Sequence, residues 1–289
     1  TLASAGTLAV LVPPSTLLVI YGVWTETSIS ELFMAGIVPC LLLTVVYCAT
    51  LAIWCAVKPE MGPPGPKYSW AERFISLKRL LPALAVIAVV LGGIYGGVMT
   101  PSESAAVGVL GVLTIAIVMR RLRWAAVAES LRQTIQTSGM VFVIVVTGIM
   151  FTRFMVHTNV TADFVGMIAG WHLGQTTLLL MMLVLYFVLG TALDGLGMLI
   201  LSLPFVMPLM VTAGVDKVWF GIFLCVMMEL AAVSPPVGIT VAVMRSVAPD
   251  VPTHVIFRGC YPFLVLTILL TFALIAWPSL ALWLPAMTR

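Results

Sequence analysis

The chain has 289 residues, of which 62% are hydrophobic and only 9% charged, with a formal net charge of +3. A soluble domain carries about 25% charged residues, so this chain is too apolar to cover a water-facing surface. The composition predicts an all-α polytopic membrane protein surrounded by the lipid bilayer, with no nucleic-acid partner, because only helices and closed barrels satisfy their backbone in lipid. Its uncharged runs are too long and uniform for barrel strands.

In chain order, the first predicted element is a helix over 1–22 broken at Pro13-Pro14. Proline brings no N–H and clashes with the carbonyl four residues back. The break therefore frees the carbonyls of Ala9 and Val10, beside the hydroxyls of Ser15 and Thr16. An uncharged run at 32–57 follows, long enough to span a hydrocarbon core of roughly 30 Å. The stretch 61–67 is a Pro/Gly linker, and 70–79 reads as a short amphipathic helix on the cytoplasmic membrane surface. Two scaffold helices are expected within 80–119. The second begins at Thr100-Pro101-Ser102-Glu103, a capping box with Thr at N-cap, Pro at N1 and Glu at N3.

A spanning helix is expected over 133–152. Two apolar arms, 177–189 and 198–210, are each too short to cross comfortably and flank Gly190-Thr191-Ala192-Leu193-Asp194-Gly195. This pattern predicts a re-entrant hairpin over about 176–214, entering from the outer side. Asp194 then sits near mid-membrane, where carboxylates are costly and usually functional, and Thr191 offers a hydroxyl and a carbonyl. The alternative is two full helices with a surface loop and Asp194 as a helix cap. Next comes a second broken helix over 217–245, interrupted at Pro235-Pro236. There the carbonyls of Ala231 and Ala232 lose helical partners beside the Ser234 hydroxyl, a donor set suited to a hard cation such as Na⁺. A last helix is expected over 259–285.

Charge placement orients these elements. With 58–79 on the cytoplasmic side and alternation thereafter, that side holds Lys58, Lys67, Arg73, Lys78, Arg79, Arg120, Arg121, Arg123, Arg132, Arg245 and Arg258. The outer side keeps Arg153, Lys217 and Arg289, as the positive-inside rule expects. The five cysteines lie in apolar segments at no metal-ligand spacing and read as small buried hydrophobes. Glu229, an acid within an apolar helix, is either a functional group or a partner for nearby backbone. No Ser-His-Asp set, ligand cluster or phosphate loop is apparent, which argues against an enzyme.

The two ends of the chain repeat each other. Leu8 to Pro14 aligns with Leu230 to Pro236, and Gly36-Ile37-Val38-Pro39 aligns with Gly259-Cys260-Tyr261-Pro262. Under the charge-derived topology the copies are inverted, the arrangement common in secondary transporters. The predicted organisation is 1–62 as the later part of the first repeat, 63–79 as linker and amphipathic helix, and 80–285 as the second repeat. Repeat arithmetic then sets the start of the first copy about 140 residues ahead of Thr1.

Gly6-Thr7-Leu8, Val12-Pro13-Pro14-Ser15, the run Tyr95 to Ala106, the 190–195 tip and Ser234-Pro235-Pro236-Val237-Gly238 resemble the large membrane subunit of tripartite ATP-independent periplasmic (TRAP) transporters. The resemblance implies the inverted-repeat ion-transporter fold, with re-entrant hairpins and broken helices. It implies Na⁺-driven uptake of small organic acids by an elevator motion in the bacterial inner membrane. It also implies a periplasmic substrate-binding protein and a small four-helix membrane subunit as partners. One Na⁺ site is implied at Gly190, Thr191, Asp194, Ala231, Ala232, Ser234 and Pro235. Another, lacking its hairpin in this chain, is implied at Gly6, Ala9, Val10, Val12 and Ser15, with Ala9 standing where the family usually has Gly. Thr16, Gly195, Gly238 and Thr240 are the implied substrate-facing residues. The competing expectations are a self-sufficient Na⁺/carboxylate symporter of the same superfamily and a membrane scaffold subunit that transports nothing.

Overall fold

The computed structural model describes residues 2–62, 65, 69–235, 238–248 and 250–287. Among them are thirteen α-helices, two short 3₁₀ turns and no strand. Six helices are long and apolar enough to cross a membrane: Ile29–Val57, Trp70–Tyr95, Pro101–Val118, Trp124–His157, Gly195–Thr212 and Thr253–Ala276. The protein is thus an all-α polytopic membrane protein. The chain divides into two units, Thr1–Thr50 with Phe142–Arg289, and Leu51–Val141.

The larger unit holds both broken helices. The first comprises α1 (Leu2–Thr7), a 3₁₀ turn over Leu8–Val10, an irregular stretch through Ser15, and α2 (Thr16–Thr25). It leads into α3 (Ile29–Val57). The second comprises α10 (Lys217–Val233), then Ser234 and Pro235 outside the helix, and α11 (Ile239–Val247), followed by α12 (Thr253–Ala276). Pro39 lies inside α3 and Pro262 inside α12, so the later elements recur in the same order at the spacing of the sequence repeat.

Contacts between these elements are reciprocal. α1 packs on α11, α2 packs on α10, and α1 also meets α10. Two broken helices that pair first half to second half run past one another in opposite directions, the pattern generated by a local two-fold axis. At the centre lies α10. Asp216 caps it by accepting from the Trp219 N–H at 2.9 Å, and its run from Val218 to Ala231 is buried without interruption. A helix apolar on every side except for Glu229 belongs in a core. The Tyr21 hydroxyl donates to the Lys217 carbonyl at 2.7 Å, and the Trp219 indole donates to the Leu274 carbonyl at 3.2 Å. These bonds satisfy polar groups that burial would otherwise penalise.

The hairpin consists of α8 (Gln175–Gly190) and α9 (Gly195–Thr212). Its arms are joined by a buried Tyr186–Ser202 hydroxyl pair at 2.8 Å. Before it come α6 (Trp124–His157) and α7 (Val160–Ala169). Residues 124–132 at its start and 153–157 at its end lengthen α6 well beyond the expected 133–152, and α7 was not foreseen. The expected last helix is two: after α12, Trp277 and Pro278 interrupt the chain and α13 spans Ser279–Ala286. Proline cannot continue a helix from its predecessor without losing a backbone bond.

The smaller unit pairs α4 (Trp70–Tyr95) with α5 (Pro101–Val118). Here the sequence reading is corrected. The stretch 70–79 is no separate surface helix, because it continues into α4 through Pro82. A capping box of Ser69 and Glu72 starts this helix, and no breaker separates 79 from 80. Of the linker expected before it, residues 63, 64 and 66–68 lie outside the described residues. The capping box at α5 is present as expected, with the Glu103 N–H donating to Thr100 Oγ1 at 3.3 Å and the Thr100 N–H to Glu103 Oε2 at 2.7 Å. Cys40, Cys225 and Cys260 are buried, but Cys48 and Cys55 are exposed. An apolar surface facing lipid suits a thiol as well as a protein core does.

Candidate functional site

The second break and the hairpin tip meet through Gly190. A methyl group added there would run into the Cβ of Ala231, so only glycine lets the end of α8 approach the end of α10 this closely. Beyond Gly190 the tip turns tightly. The Thr191 and Ala192 N–H groups donate to the Val188 and Leu189 carbonyls at 3.1 and 3.0 Å, and the Leu193 N–H donates to Leu189 at 2.9 Å. Among the described residues, no such turn bond reaches the carbonyls of Gly190, Thr191 or Ala192. The tip thus carries carbonyl oxygens without turn partners among the described residues, next to the Gly190 that packs on Ala231.

On the α10 side, Ser234 is fully buried. Its N–H donates to the Leu230 and Ala231 carbonyls at 3.1 and 3.2 Å, and its hydroxyl donates to the Ala231 carbonyl at 3.2 Å. This corrects the expectation for Ala231. Proline at 235 takes away the i+4 donor, but Ser234 turns back and fills the vacancy. Pro235 is half-buried, as is Ala232, whose helical partner position 236 lies outside the described residues. Asp194 is exposed and caps α9, accepting from the Gly197 N–H at 3.3 Å. The cap expected only in the alternative reading thus forms at a tight tip. The Thr191 hydroxyl donates back to the Val188 carbonyl at 2.7 Å.

The first break is more open. The Leu11 and Val12 N–H groups both donate to the Leu8 carbonyl, at 3.0 and 3.1 Å. No turn bond reaches the carbonyls of Ala9 or Val10 among the described residues. Ser15 is buried, whereas Gly6, Ala9, Val12 and Thr16 are exposed. This break leans on α3 through Gly36, where a Cβ would lie 3.0 Å from the Leu11 carbonyl oxygen.

Of the other singled-out residues, a Cβ on Gly195 would lie 3.4 Å from Leu17 and 3.6 Å from the Met228 sulfur. The hairpin tip therefore touches the start of α2. Gly238 adopts φ +49°, a left-handed conformation that favours glycine, and a Cβ there would meet the Phe257 ring at 2.9 Å. Thr240 lies against Gly6, whose Cβ would be 4.0 Å from the Thr240 methyl. Gly6 and Thr240, assigned to different roles on sequence grounds, are neighbours.

Residues 1–280 match the family described as tripartite ATP-independent periplasmic transporter, DctM component. The chain belongs to the DctM family. It is 31% identical over 97% of its length to the ectoine/5-hydroxyectoine TRAP transporter large permease protein UehC of Ruegeria pomeroyi, covering 65% of that protein. It is 28% identical over 98% of its length to the C4-dicarboxylate TRAP transporter large permease protein DctM of Pseudomonas aeruginosa, covering 66% of it. It is 34% identical over 95% of its length to the sialic acid TRAP transporter large permease protein SiaM of Vibrio cholerae, covering 64% of it. The chain thus spans about two thirds of the length of these curated relatives. DctM proteins are transporter permeases rather than enzymes, and this chain is a multi-pass protein of the bacterial inner membrane.

The sequence reading singled out Glu229 but not the side-chain partners that the fold gives it. The Glu229 carboxyl, 1% exposed, accepts from the Tyr47 hydroxyl on α3 at 3.2 Å and lies 3.5 Å from the Thr7 hydroxyl on α1. Tyr47 in turn shares a 2.6 Å bond with Thr267 on α12. The available signal was positional, since Thr7 and Glu229 immediately precede the aligned Leu8 and Leu230 of the internal repeat.

Proposed function

We propose that the intact subunit is the permease of a Na⁺-coupled, binding-protein-dependent transporter importing small organic acids by an elevator motion. The observation that carries this reading is the seat of Gly190 on Ala231, which sets the hairpin tip against the end of α10. Na⁺ here is co-transported cargo. It is a hard cation satisfied by neutral oxygens, and unwound backbone beside half-helix ends is where secondary transporters hold it. The donors are the carbonyls of Gly190, Thr191 and Ala232, with the Ser234 and Thr191 hydroxyls after rotation away from their present acceptors. Pro235 opens the helix, and Ala231 seats the tip. Asp194 contributes its charge from the cap.

The first break supplies the matching donors at Ala9, Val10 and Ser15, with Gly6 and Val12 framing them. Thr16, Gly195, Gly238 and Thr240 face the organic acid between the breaks. A periplasmic binding protein delivers the acid, and a four-helix membrane subunit supports the scaffold. The relatives named for ectoine, C4-dicarboxylates and sialic acid stand at 31%, 28% and 34% identity, so similarity alone does not select a cargo for this chain.

The test is uptake in proteoliposomes containing the full-length subunit, its four-helix partner and the binding protein, with and without a Na⁺ gradient. Uptake driven by Na⁺, requiring the binding protein and lost in Thr191→Val with Ser234→Ala, is the expected result. Na⁺-driven uptake without the binding protein would favour the self-sufficient symporter. Unchanged Na⁺ dependence in the double variant would remove the second-site assignment.

A further inference from the structure

We infer that Glu229 is a positioning residue that couples the two candidate Na⁺ sites by tying the two broken helices together where they cross. The inference rests on the Na⁺ reading proposed above. Its basis is where the contact falls. Thr7 and Glu229 are equivalent positions of the internal repeat, 222 residues apart, and they touch each other. Equivalent residues that meet must lie on the local two-fold axis, because any other location would separate them. Each also stands two residues before a candidate ion-site residue, Ala9 in one arm and Ala231 in the other. The contact therefore ties the two arms together within two residues of a candidate ion-site residue in each.

The surrounding network has the same double membership. Thr267 on α12 bonds the Tyr47 hydroxyl on α3, and Tyr47 donates to Glu229 on α10. The Thr7 hydroxyl gives its own proton to the Ser4 carbonyl at 2.8 Å, so its 3.5 Å approach to Glu229 is a close polar contact more than a full bond. Elements from both copies thus converge on one carboxyl. The other oxygen of that carboxyl is buried, with no hydrogen-bond partner among the described residues.

Burying a carboxyl against hydroxyls alone is costly, and an apolar side chain of similar volume packs there more cheaply. Simple core filling therefore gives no account of an acid at this point. A directional link does, since coupling between sites travels through packed side chains and hydrogen bonds that shift as a unit. A change in either helix end on ion binding alters the contact that the other end also makes.

The experiment is a Na⁺ titration of uptake by the full-length subunit with its two partners in proteoliposomes. The wild type is expected to respond sigmoidally. In Glu229→Leu the Hill coefficient falls to about 1 and the cooperative gain in Na⁺ affinity, about fivefold or more for typical site–site coupling, disappears. Tyr47→Phe deletes only a hydroxyl and covers the case in which Glu229→Leu fails to fold; it is expected to lower the Hill coefficient too. Glu229→Gln, which can still accept from Tyr47, is expected to restore sigmoidality. A structural role alone would lower the amount of folded complex and leave the shape of the Na⁺ curve unchanged. Sigmoidal curves in both Glu229→Leu and Tyr47→Phe would overturn the inference while leaving Na⁺-coupled transport standing. Uptake indifferent to Na⁺ in the wild type would overturn both.

Discussion

The two breaks share a sequence pattern but not a support. At the second, a glycine from the hairpin tip seats on Ala231, and Ser234 folds back onto the Ala231 carbonyl that proline would have orphaned. At the first, the support is a glycine within a long helix, Gly36 of α3, pressed toward the Leu11 carbonyl. There the carbonyls of Ala9 and Val10 stay without turn bonds among the described residues. The difference teaches that a Pro-Pro motif removes donors in a predictable way, while the neighbours decide which oxygens remain available. The repeat glycines make the same point, because Gly36 is buried against Leu11 whereas its equivalent, Gly259, faces open space.

The sharpest way to break this comparison is Gly190→Ala. The added methyl overlaps Ala231, and overpacking of this kind costs about 1–3 kcal/mol. We expect a lower Tm in detergent and loss of Na⁺-dependent uptake by the intact complex; an unchanged Tm would mean that the tip is not seated as described.

Next come the paired substitutions Gly36→Ala and Gly259→Ala. The first crowds a backbone carbonyl and should destabilise by about 1 kcal/mol net of the gain in helix propensity. The second gains propensity without a clash and should stabilise by about 0.5–1 kcal/mol. Opposite signs in thermal unfolding are the expected outcome, and equal signs would erase the asymmetry between the breaks.

Asp194→Ala tests the cap on α9. Loss of an N-cap costs about 1 kcal/mol, so Tm should fall by less than for Gly190→Ala. Asp194→Asn retains a capping oxygen and should keep that stability, so any drop in Na⁺ affinity for Asn reports the charge alone. The smallest effect on stability is expected for Thr191→Val. Among the described residues its half-buried hydroxyl bonds only to Val188, and such changes stay within about 0.5 kcal/mol. A weakened Na⁺ response at unchanged Tm would distinguish an ion donor from a turn residue.

Much of the fold was legible because its signals are local. Proline position marked both breaks, Thr100 and Glu103 marked the start of α5, and the Gly-rich tip at 190–195 marked the turn between α8 and α9. The second arm, α9, is nonetheless long enough to cross a membrane where a short arm was expected. Less legible were the lengths of elements. Nothing between 79 and 80 stops α4, and Pro278, which splits the last helix, sits inside an uncharged run that hydropathy reads as one span. The candidate site was legible as a set of residues but not as a set of bonds. The Ala231 carbonyl appeared free on the proline argument alone, and only the backbone path at Ser234 shows it occupied.

By itself the sequence determined that the chain spans a membrane, that it repeats itself, and where its helices break. These follow from hydropathy, from matched motifs and from the missing N–H of proline, none of which needs a partner distant in the chain. Only the tertiary structure decided that Gly190 meets Ala231, that Gly36 is crowded while Gly259 is not, and that Thr7 touches Glu229. Those are packing contacts between segments far apart in the chain. Close-packed interiors fix such contacts through the fit of whole faces, which no local pattern encodes.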